Sequence, residues 1–222
     1  MNNPKFRNVL FDLDGTLVDS VEDIVCCLKK AYDEVPGFSG VRIDKSYLGP
    51  PLGDVIRNIT PAIEEKHAQL VMKEFMRCYD TSPLSGTRLY EGAYELIQNL
   101  REHGVKLFVV TNKRSFAARR ILTKLGVDVF DDVVTPDTIA GKRMDKEDMI
   151  SYLIEKHGLE KAVTVMVSDS PSDIIAARKD GICSVAVLEG YGDAEGLYKS
   201  KPSYVIEKIG DLASTCIDDG SR

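Results

Sequence analysis

The chain reads as an α/β protein, a parallel sheet with helices on both faces plus an inserted helical segment after the first strand. Three observations lead there. Short apolar runs at 9–11, 105–110, 133–134, 163–167, 185–188 and 204–206 recur along the 222 residues, with helical patterns between most of them. Residues 20–84 carry helical patches and no convincing strand. Acidic and hydroxyl residues follow several of the runs, at the carboxyl ends where an open parallel sheet places its ligands.

The first strand, 9–11, runs into Asp12-Leu13-Asp14-Gly15-Thr16. Strand periodicity points Asp12 and Asp14 the same way. Like charges that close repel unless a cation or a shared proton offsets them, although an acidic turn is the plainer account of the pair alone. Val21, Ile24, Val25, Leu28, Ala31, Tyr32 and Val35 predict an amphipathic helix over 20–35, ended by Pro36-Gly37. Helical patches follow at 52–60 and 62–80, and 81–86 reads as a connector. From Leu89 the rhythm changes. A helix over 92–103 stops at Gly104, strand 105–110 follows, and a helix starts near the cap candidate Ser115 and stops at Gly126. Strand 133–134, helix 146–157, strand 163–167, helix 171–180 and strands 185–188 and 204–206 complete the series. This places a core domain at 1–18 and 86–222 and an inserted helical domain at 19–85.

Hydrophobic residues at 43% and charged residues at 29% suffice for a soluble chain with a core. A net charge of -6 without a basic patch argues against a general nucleic-acid binder. The five cysteines, 26, 27, 78, 183 and 216, are scattered and include no Cys-x-x-Cys, which favours reduced thiols over a disulfide framework or zinc site. Cys26 and Cys27 fit a helix as small buried hydrophobes. Residues 1–7 are polar and lack the apolar centre of a signal peptide, and no run reaches membrane-spanning length, so a cytoplasmic protein without membrane partners is expected.

Thr111-Asn112 after strand 105–110 and Ser168-Asp169-Ser170-Pro171-Ser172-Asp173 after strand 163–167 each have an ordinary explanation, turn chemistry for one and a helix N-terminus for the other. Together with Asp12-Leu13-Asp14-Gly15-Thr16-Leu17-Val18-Asp19-Ser20 they make the chain resemble the haloacid dehalogenase-like superfamily over nearly its whole length, in its phosphoglycolate phosphatase-like branch. The resemblance implies a Rossmann-like core with a small helical cap, and a Mg²⁺-dependent phosphatase of small phosphorylated metabolites, monomeric or homodimeric. It casts Asp12 as the nucleophile that forms an aspartyl-phosphate and Asp14 as the acid/base. Mg²⁺ is implied at Asp12, the Asp14 carbonyl and Asp169, with Asp173 ordering that shell or ligating through water. Thr111, the Asn112 amides and a lysine are implied to hold phosphoryl oxygens.

Two positions depart from the family pattern. Ser168 stands where a glycine is usual, a side chain that tightens the turn before Asp169. The Lys-Pro-x-Pro string is absent, and Lys142 and Lys146 compete for the lysine role. Arg143, three residues before Lys146, resembles a variant that favours Lys146 and adds Arg143 as a second phosphate contact. Tyr47-Leu48-Gly49-Pro50-Pro51-Leu52 is similar to a loop through which relatives' caps meet substrate, but also fits a rigid interhelical turn. Arg57 either meets a substrate anion or lies on a solvated helix face. Asp19 reads as shaping its turn. A phosphomutase is the nearest rival. Dehalogenase and phosphonate hydrolase branches lack the acid at position 14, a receiver-type signalling module is about half this length, and a non-catalytic binding protein stays open because of Ser168.

Overall fold

Asn8–Phe11 form strand β1, and all four residues are buried. A strand covered on both faces has no polar side, which is why this one reads as an unbroken apolar run. The computed structural model describes residues 5–216, so residues 1–4 of the polar N-terminal stretch and the end of the predicted core domain lie outside the described residues.

After β1 come β2 (Val18–Asp19), then α1 (Val21–Asp33), α2 (Leu52–Ile59) and α3 (Glu65–Thr81), then β3 (Arg88–Leu89). The series continues with α4 (Ala93–Glu102), β4 (Lys106–Val110), α5 (Ser115–Lys124), β5 (Asp132–Val134) and α6 (Lys146–His157). It ends with β6 (Thr164–Ser168), α7 (Pro171–Lys179), β7 (Cys183–Val187), α8 (Ala194–Lys199), β8 (Tyr204–Ile206) and α9 (Leu212–Cys216).

Six strands form one sheet in the order β5-β4-β1-β6-β7-β8, and each neighbouring pair is parallel. The predicted α/β class with a parallel sheet is what the chain adopts. β1 lies at the centre, and the chain moves from it to β4 and β5 on one side before returning to β6 on the other. That reversal is the switch point at which such sheets hold ligands. Phe11 pairs with Val109 of β4 and with Val167 of β6. One residue further along the register, Asp12 stands level with Val110 and Ser168, with Thr111 and Asp169 next in line.

Alternation along the central strands sends Leu10, Phe108, Val110 and Met166 to one face. There they pack with Met149, Ile150 and Leu153 of α6 and Ala176 and Ala177 of α7. Val9, Phe11, Leu107, Val109, Val165 and Val167 have the opposite parity and are equally buried, facing the other layer.

The chain divides into two compact units, Met1–Val18 with Leu89–Arg222 and, between them in sequence, Asp19–Arg88. The second is helical. Ala31, Tyr32 and Val35 of α1 and its C-terminal flank pack with Ile56 of α2 and Ala68 and Val71 of α3. The Tyr32 hydroxyl, buried with the ring, donates to the Ile56 carbonyl at 3.1 Å, so the polar end of a core residue is satisfied.

Several short elements differ from the sequence reading. β2 and β3 pair as a separate two-stranded sheet, while α8 and α9 lie in stretches without a predicted helix. Ser115 is not a cap. It is the first residue of α5, Arg114 holds the cap position without a side-chain capping bond, and the Ser115 amide donates instead to Asp137 Oδ1 at 2.9 Å. Cys27 is buried as read, whereas Cys26 is exposed. No helix among the described residues is long and apolar enough to cross a membrane.

Candidate active site

Asp12 follows β1 directly, and its amide still donates to the Val167 carbonyl at 2.9 Å, so the ladder of the sheet fixes where its side chain leaves the backbone. The next residues fold back: the Leu17 and Val18 amides both donate to the Leu13 carbonyl, and the Gly15 amide donates to Val18. Gly15 takes φ +84°, and a Cβ there would stand 2.2 Å from Asp169 Oδ2. Only glycine combines that conformation with so close an approach.

Lys146 is the first residue of α6, whose start is fixed by the Asp145 carboxylate accepting from the Asp148 amide at 2.8 Å. Its ammonium reaches the centre of the site and is 7% exposed. It donates to Asp12 Oδ1 at 3.0 Å and to the Val110 carbonyl at 2.8 Å, and it pairs with Asp173 Oδ2 at 2.8 Å. These three acceptors use its three protons. Asp12 Oδ2 receives no hydrogen bond among the described residues.

Ser168 is the last residue of β6 rather than part of a turn, and it is fully buried. Its hydroxyl donates to Asp173 Oδ2 at 2.8 Å and accepts from the Ser170 amide at 3.0 Å. The Ser168 side chain therefore holds Asp173 toward Lys146. Asp169 is held just as closely. Its amide donates to the Thr16 hydroxyl, which donates to Asp169 Oδ1 at 2.9 Å. Asp169 Oδ2 accepts from the Tyr191 amide at 2.8 Å and the Gly192 amide at 3.3 Å. Asp14 pairs through Oδ2 with Lys113 at 3.2 Å, both side chains being largely buried. Thr111 is buried, and its hydroxyl accepts from the Lys113 amide at 3.2 Å.

These contacts set the electrostatics. Burial drives the Asp12 carboxyl up to about 8; Lys146 pulls the other way, and the Asp173 and Asp169 charges add to the rise. Burial likewise lifts Asp169 to about 6 against the hydrogen bonds from Tyr191 and Thr16. Burial alone would lower Lys146, but the Asp12 and Asp173 carboxylates outweigh it and raise its pKa. Among the described residues the site thus gathers Asp12, Asp14, Asp169 and Asp173 around two ammonium groups, Lys113 and Lys146.

Of the predicted site residues, the structure brings together Asp12, Asp14, Thr111, Lys146, Asp169 and Asp173, with half-buried Asn112 beside Thr111. Lys142 lies at the surface, paired with Asp148 at 3.2 Å. Arg143 is exposed. The four acids read as metal residues do not make a ready cage: among the described residues no group of three or more His, Cys, Asp or Glu side chains is arranged to hold a metal ion. Asp14 is turned to Lys113 and Asp173 to Lys146 and Ser168. In the helical unit, Arg57 is exposed and paired with Glu65 at 2.9 Å, Gly49 adopts φ +107°, Pro50 is exposed, and Asp19 pairs with Arg88 while accepting from the Val21 amide.

Sequence reasoning missed Lys113 and the segment 190–192, and it placed Thr16 in the first motif without a role. The signal for the last was available: Gly190-Tyr191-Gly192 follows strand β7, and two glycines around one residue mark a close backbone approach. A Cβ on Gly192 would lie 1.8 Å from the Asp169 carbonyl oxygen, a backbone atom that cannot swing aside. Gly192→Ala should therefore cost about 1–3 kcal/mol in denaturant unfolding and reduce activity by disturbing the amides that hold Asp169. An unchanged midpoint and rate would show that the segment gives way freely.

A family model described as haloacid dehalogenase-like hydrolase matches residues 9–187 of the chain. Among curated proteins, the chain is similar to a phosphoglycolate phosphatase of Vibrio vulnificus (28% identical over 222 residues, covering 96% of each chain). It is also similar to a 5'-nucleotidase of Pseudomonas aeruginosa (26% identical, covering 94% of each). Among solved structures, a predicted phosphatase from Clostridium acetobutylicum superposes with TM-score 0.83 at 27% identity, over 95% of this chain and 97% of that one.

Proposed function

This chain belongs to the haloacid dehalogenase-like hydrolase family and is a phosphatase of the phosphoglycolate phosphatase-like kind, and on that premise we propose that it hydrolyses small phosphorylated metabolites through an aspartyl-phosphate formed on Asp12, with Mg²⁺ as cofactor. The observation that supports this best is the state of Asp12. One carboxylate oxygen is fixed by Lys146 at 3.0 Å, and the other, at the carboxyl end of the central strand, receives no hydrogen bond among the described residues.

The donor set fits a hard divalent cation. The carboxylates of Asp12 and Asp169 and the main-chain carbonyl of Asp14 would hold it, all oxygen donors of the type Mg²⁺ takes. The charge balance agrees, because among the described residues the four acids outnumber the ammonium groups around them, and burial pushes the Asp12 and Asp169 carboxyls up, in Asp12 against the pull of Lys146. When bound, the ion supplies positive charge that offsets repulsion between the Asp12 carboxylate and a phosphate dianion.

The protein's own residues then divide the work. Asp12 Oδ2 attacks phosphorus, the bond to the leaving oxygen breaks, and Asp14 delivers the proton that oxygen needs. In the second half Asp14 removes a proton from water. The water oxygen attacks phosphorus, the bond to Asp12 breaks and inorganic phosphate is freed. Lys113 fixes where the Asp14 carboxyl points. Thr111 and Lys146 stabilise charge on the transferring oxygens. Lys146 already has three acceptors, so it must exchange one of them to touch a phosphoryl oxygen. Asp173 and Ser168 keep it in place through that exchange. In this reading Asp19–Arg88 is the cap that carries substrate preference.

The relatives' names differ in substrate, so the test is a panel. Phosphoglycolate, a sugar phosphate and a nucleoside monophosphate, each with and without Mg²⁺, should show Mg²⁺-dependent phosphate release from at least one. Release without a bisphosphate activator distinguishes this from a phosphomutase. Equal rates in metal-free buffer, or no release from any compound, would count against the reading.

A further inference from the structure

Within the helical unit, Cys27 of α1 and Cys78 of α3 face each other with their sulfurs 2.6 Å apart, although the residues are 51 positions apart in sequence. A bonded sulfur pair lies about 2.0 Å apart, so the two thiols are already closer to bonding distance than to an ordinary packing contact. Cys27 is buried, Cys78 is partly exposed, and neighbouring Cys26 is exposed on the same helix. Cys27 lies in the second turn of the helix by which the chain enters this unit. Cys78 lies in the last turn of the helix that precedes its exit.

We propose that Cys27 and Cys78 are a reversible oxidation site that forms an intramolecular disulfide, taking hydrogen peroxide as oxidant and tying α1 to α3. The partly exposed Cys78 is the sulfur that meets the oxidant. Burial and the facing Cys78 sulfur push the Cys27 thiol up, which makes it the poorer first nucleophile. The Cys78 sulfur attacks a peroxide oxygen, the O–O bond breaks, and Cys78 becomes a sulfenic acid as one water leaves. The Cys27 sulfur then attacks the Cys78 sulfur. The S–O bond breaks, the hydroxyl departs as a second water with the Cys27 proton, and the S–S bond forms. In sum two thiols lose two electrons and two protons, and one peroxide becomes two waters. A dithiol reductant reverses the step by exchange.

This pairing is absent from the sequence signals, since no Cys-x-x-Cys or other short spacing links the two positions. It arises because α1 and α3 pack against each other, with Ala31, Ala68 and Val71 in their shared core. Cytosolic disulfides are typically transient and redox-responsive rather than structural, and this pair suits that behaviour.

The test treats the full chain with a small molar excess of hydrogen peroxide, alkylates free thiols, digests without reductant and maps the cysteines by mass spectrometry. A Cys27–Cys78 linked peptide, lighter by two hydrogens than the separate peptides and lost on adding dithiothreitol, is expected, with Cys26 still alkylated. The oxidised protein should also melt about 4 °C or more above the reduced form, because closing a loop of this length restricts the unfolded chain. The Cys78→Ser variant should show no such oxidation-dependent shift. The proposal is overturned if Cys27 and Cys78 both stay alkylatable, if Cys26 rather than Cys27 is joined to Cys78, if Cys78 passes to sulfinic acid while Cys27 stays free, or if the only disulfides link two copies.

Discussion

Asp12→Asn is expected to lower kcat for phosphate release by roughly 10⁴-fold or more, because removing a covalent nucleophile removes the route itself rather than one stabilising contact. The amide is nearly isosteric, and its oxygen can still accept the Lys146 hydrogen bond that Asp12 Oδ1 accepts at 3.0 Å. The fold and the Lys146–Asp173 pair should therefore survive, and a circular dichroism spectrum should be unchanged. Near-normal turnover in the variant would remove Asp12 from the nucleophile role.

The same variant carries a stability signature whose sign follows from burial. The folded-state carboxyl of Asp12 lies near 8, above its ordinary value of 3.8, chiefly because it is buried. The folded protein therefore holds a proton that the unfolded chain releases across the interval from about 4 to about 8. Over that interval this group makes the metal-free fold progressively less stable as pH rises, and the penalty is complete above about 8. Asn has no proton to lose. Metal-free Asp12→Asn should thus gain on the parent protein between pH 5 and pH 8 in thermal melts, and the two should converge as pH approaches 4. A constant difference across this range would mean that Asp12 does not titrate there.

What was legible in the sequence follows a physical line. The α/β class was readable because buried parallel strands show as continuous apolar runs and amphipathic helices repeat between them. Asp12, Thr111 and Asp169 were readable because the ends of such strands are ligand positions whatever the chain's other details. Lys146 was readable as a helix start, but its choice over Lys142 rested on resemblance. The separation appears only in three dimensions, where one lysine is 7% exposed among carboxylates and the other lies at the surface with Asp148. From sequence Ser168 reads as a tightened turn, because the contact of its hydroxyl with Asp173 five residues on exists only in the folded chain. Lys113 was hidden for the same reason, its partner Asp14 lying far away in sequence. Two-residue strands such as β2 and β3 are too short to show any period, so their pairing had no sequence signal. The Cys27–Cys78 contact likewise exists only because two helices meet.

Lys146→Ala is the second large effect, and it is expected in stability and in activity together. The ammonium contacts Asp12, Asp173 and the Val110 carbonyl. Removing it leaves two buried carboxylates facing each other without their cation, and breaking one side of a buried pair costs about 3–5 kcal/mol. Catalysis should fall by about 10²–10³-fold in addition, the usual cost of deleting one preorganised donor to developing charge. Lys142→Ala sets the baseline. Its ion pair with Asp148 is exposed on both sides, and surface changes of that kind stay within about 0.5 kcal/mol. Urea unfolding and initial rates on the two variants give four numbers that must agree in pattern: both large for Lys146, both small for Lys142. If Lys146→Ala lost stability but kept its rate, the lysine would be a counter-charge for Asp12 and Asp173 alone, and the stabilisation of transferring oxygens would fall to Thr111. The reverse pattern, with Lys142→Ala the slower enzyme, would move the phosphate-binding role to Lys142.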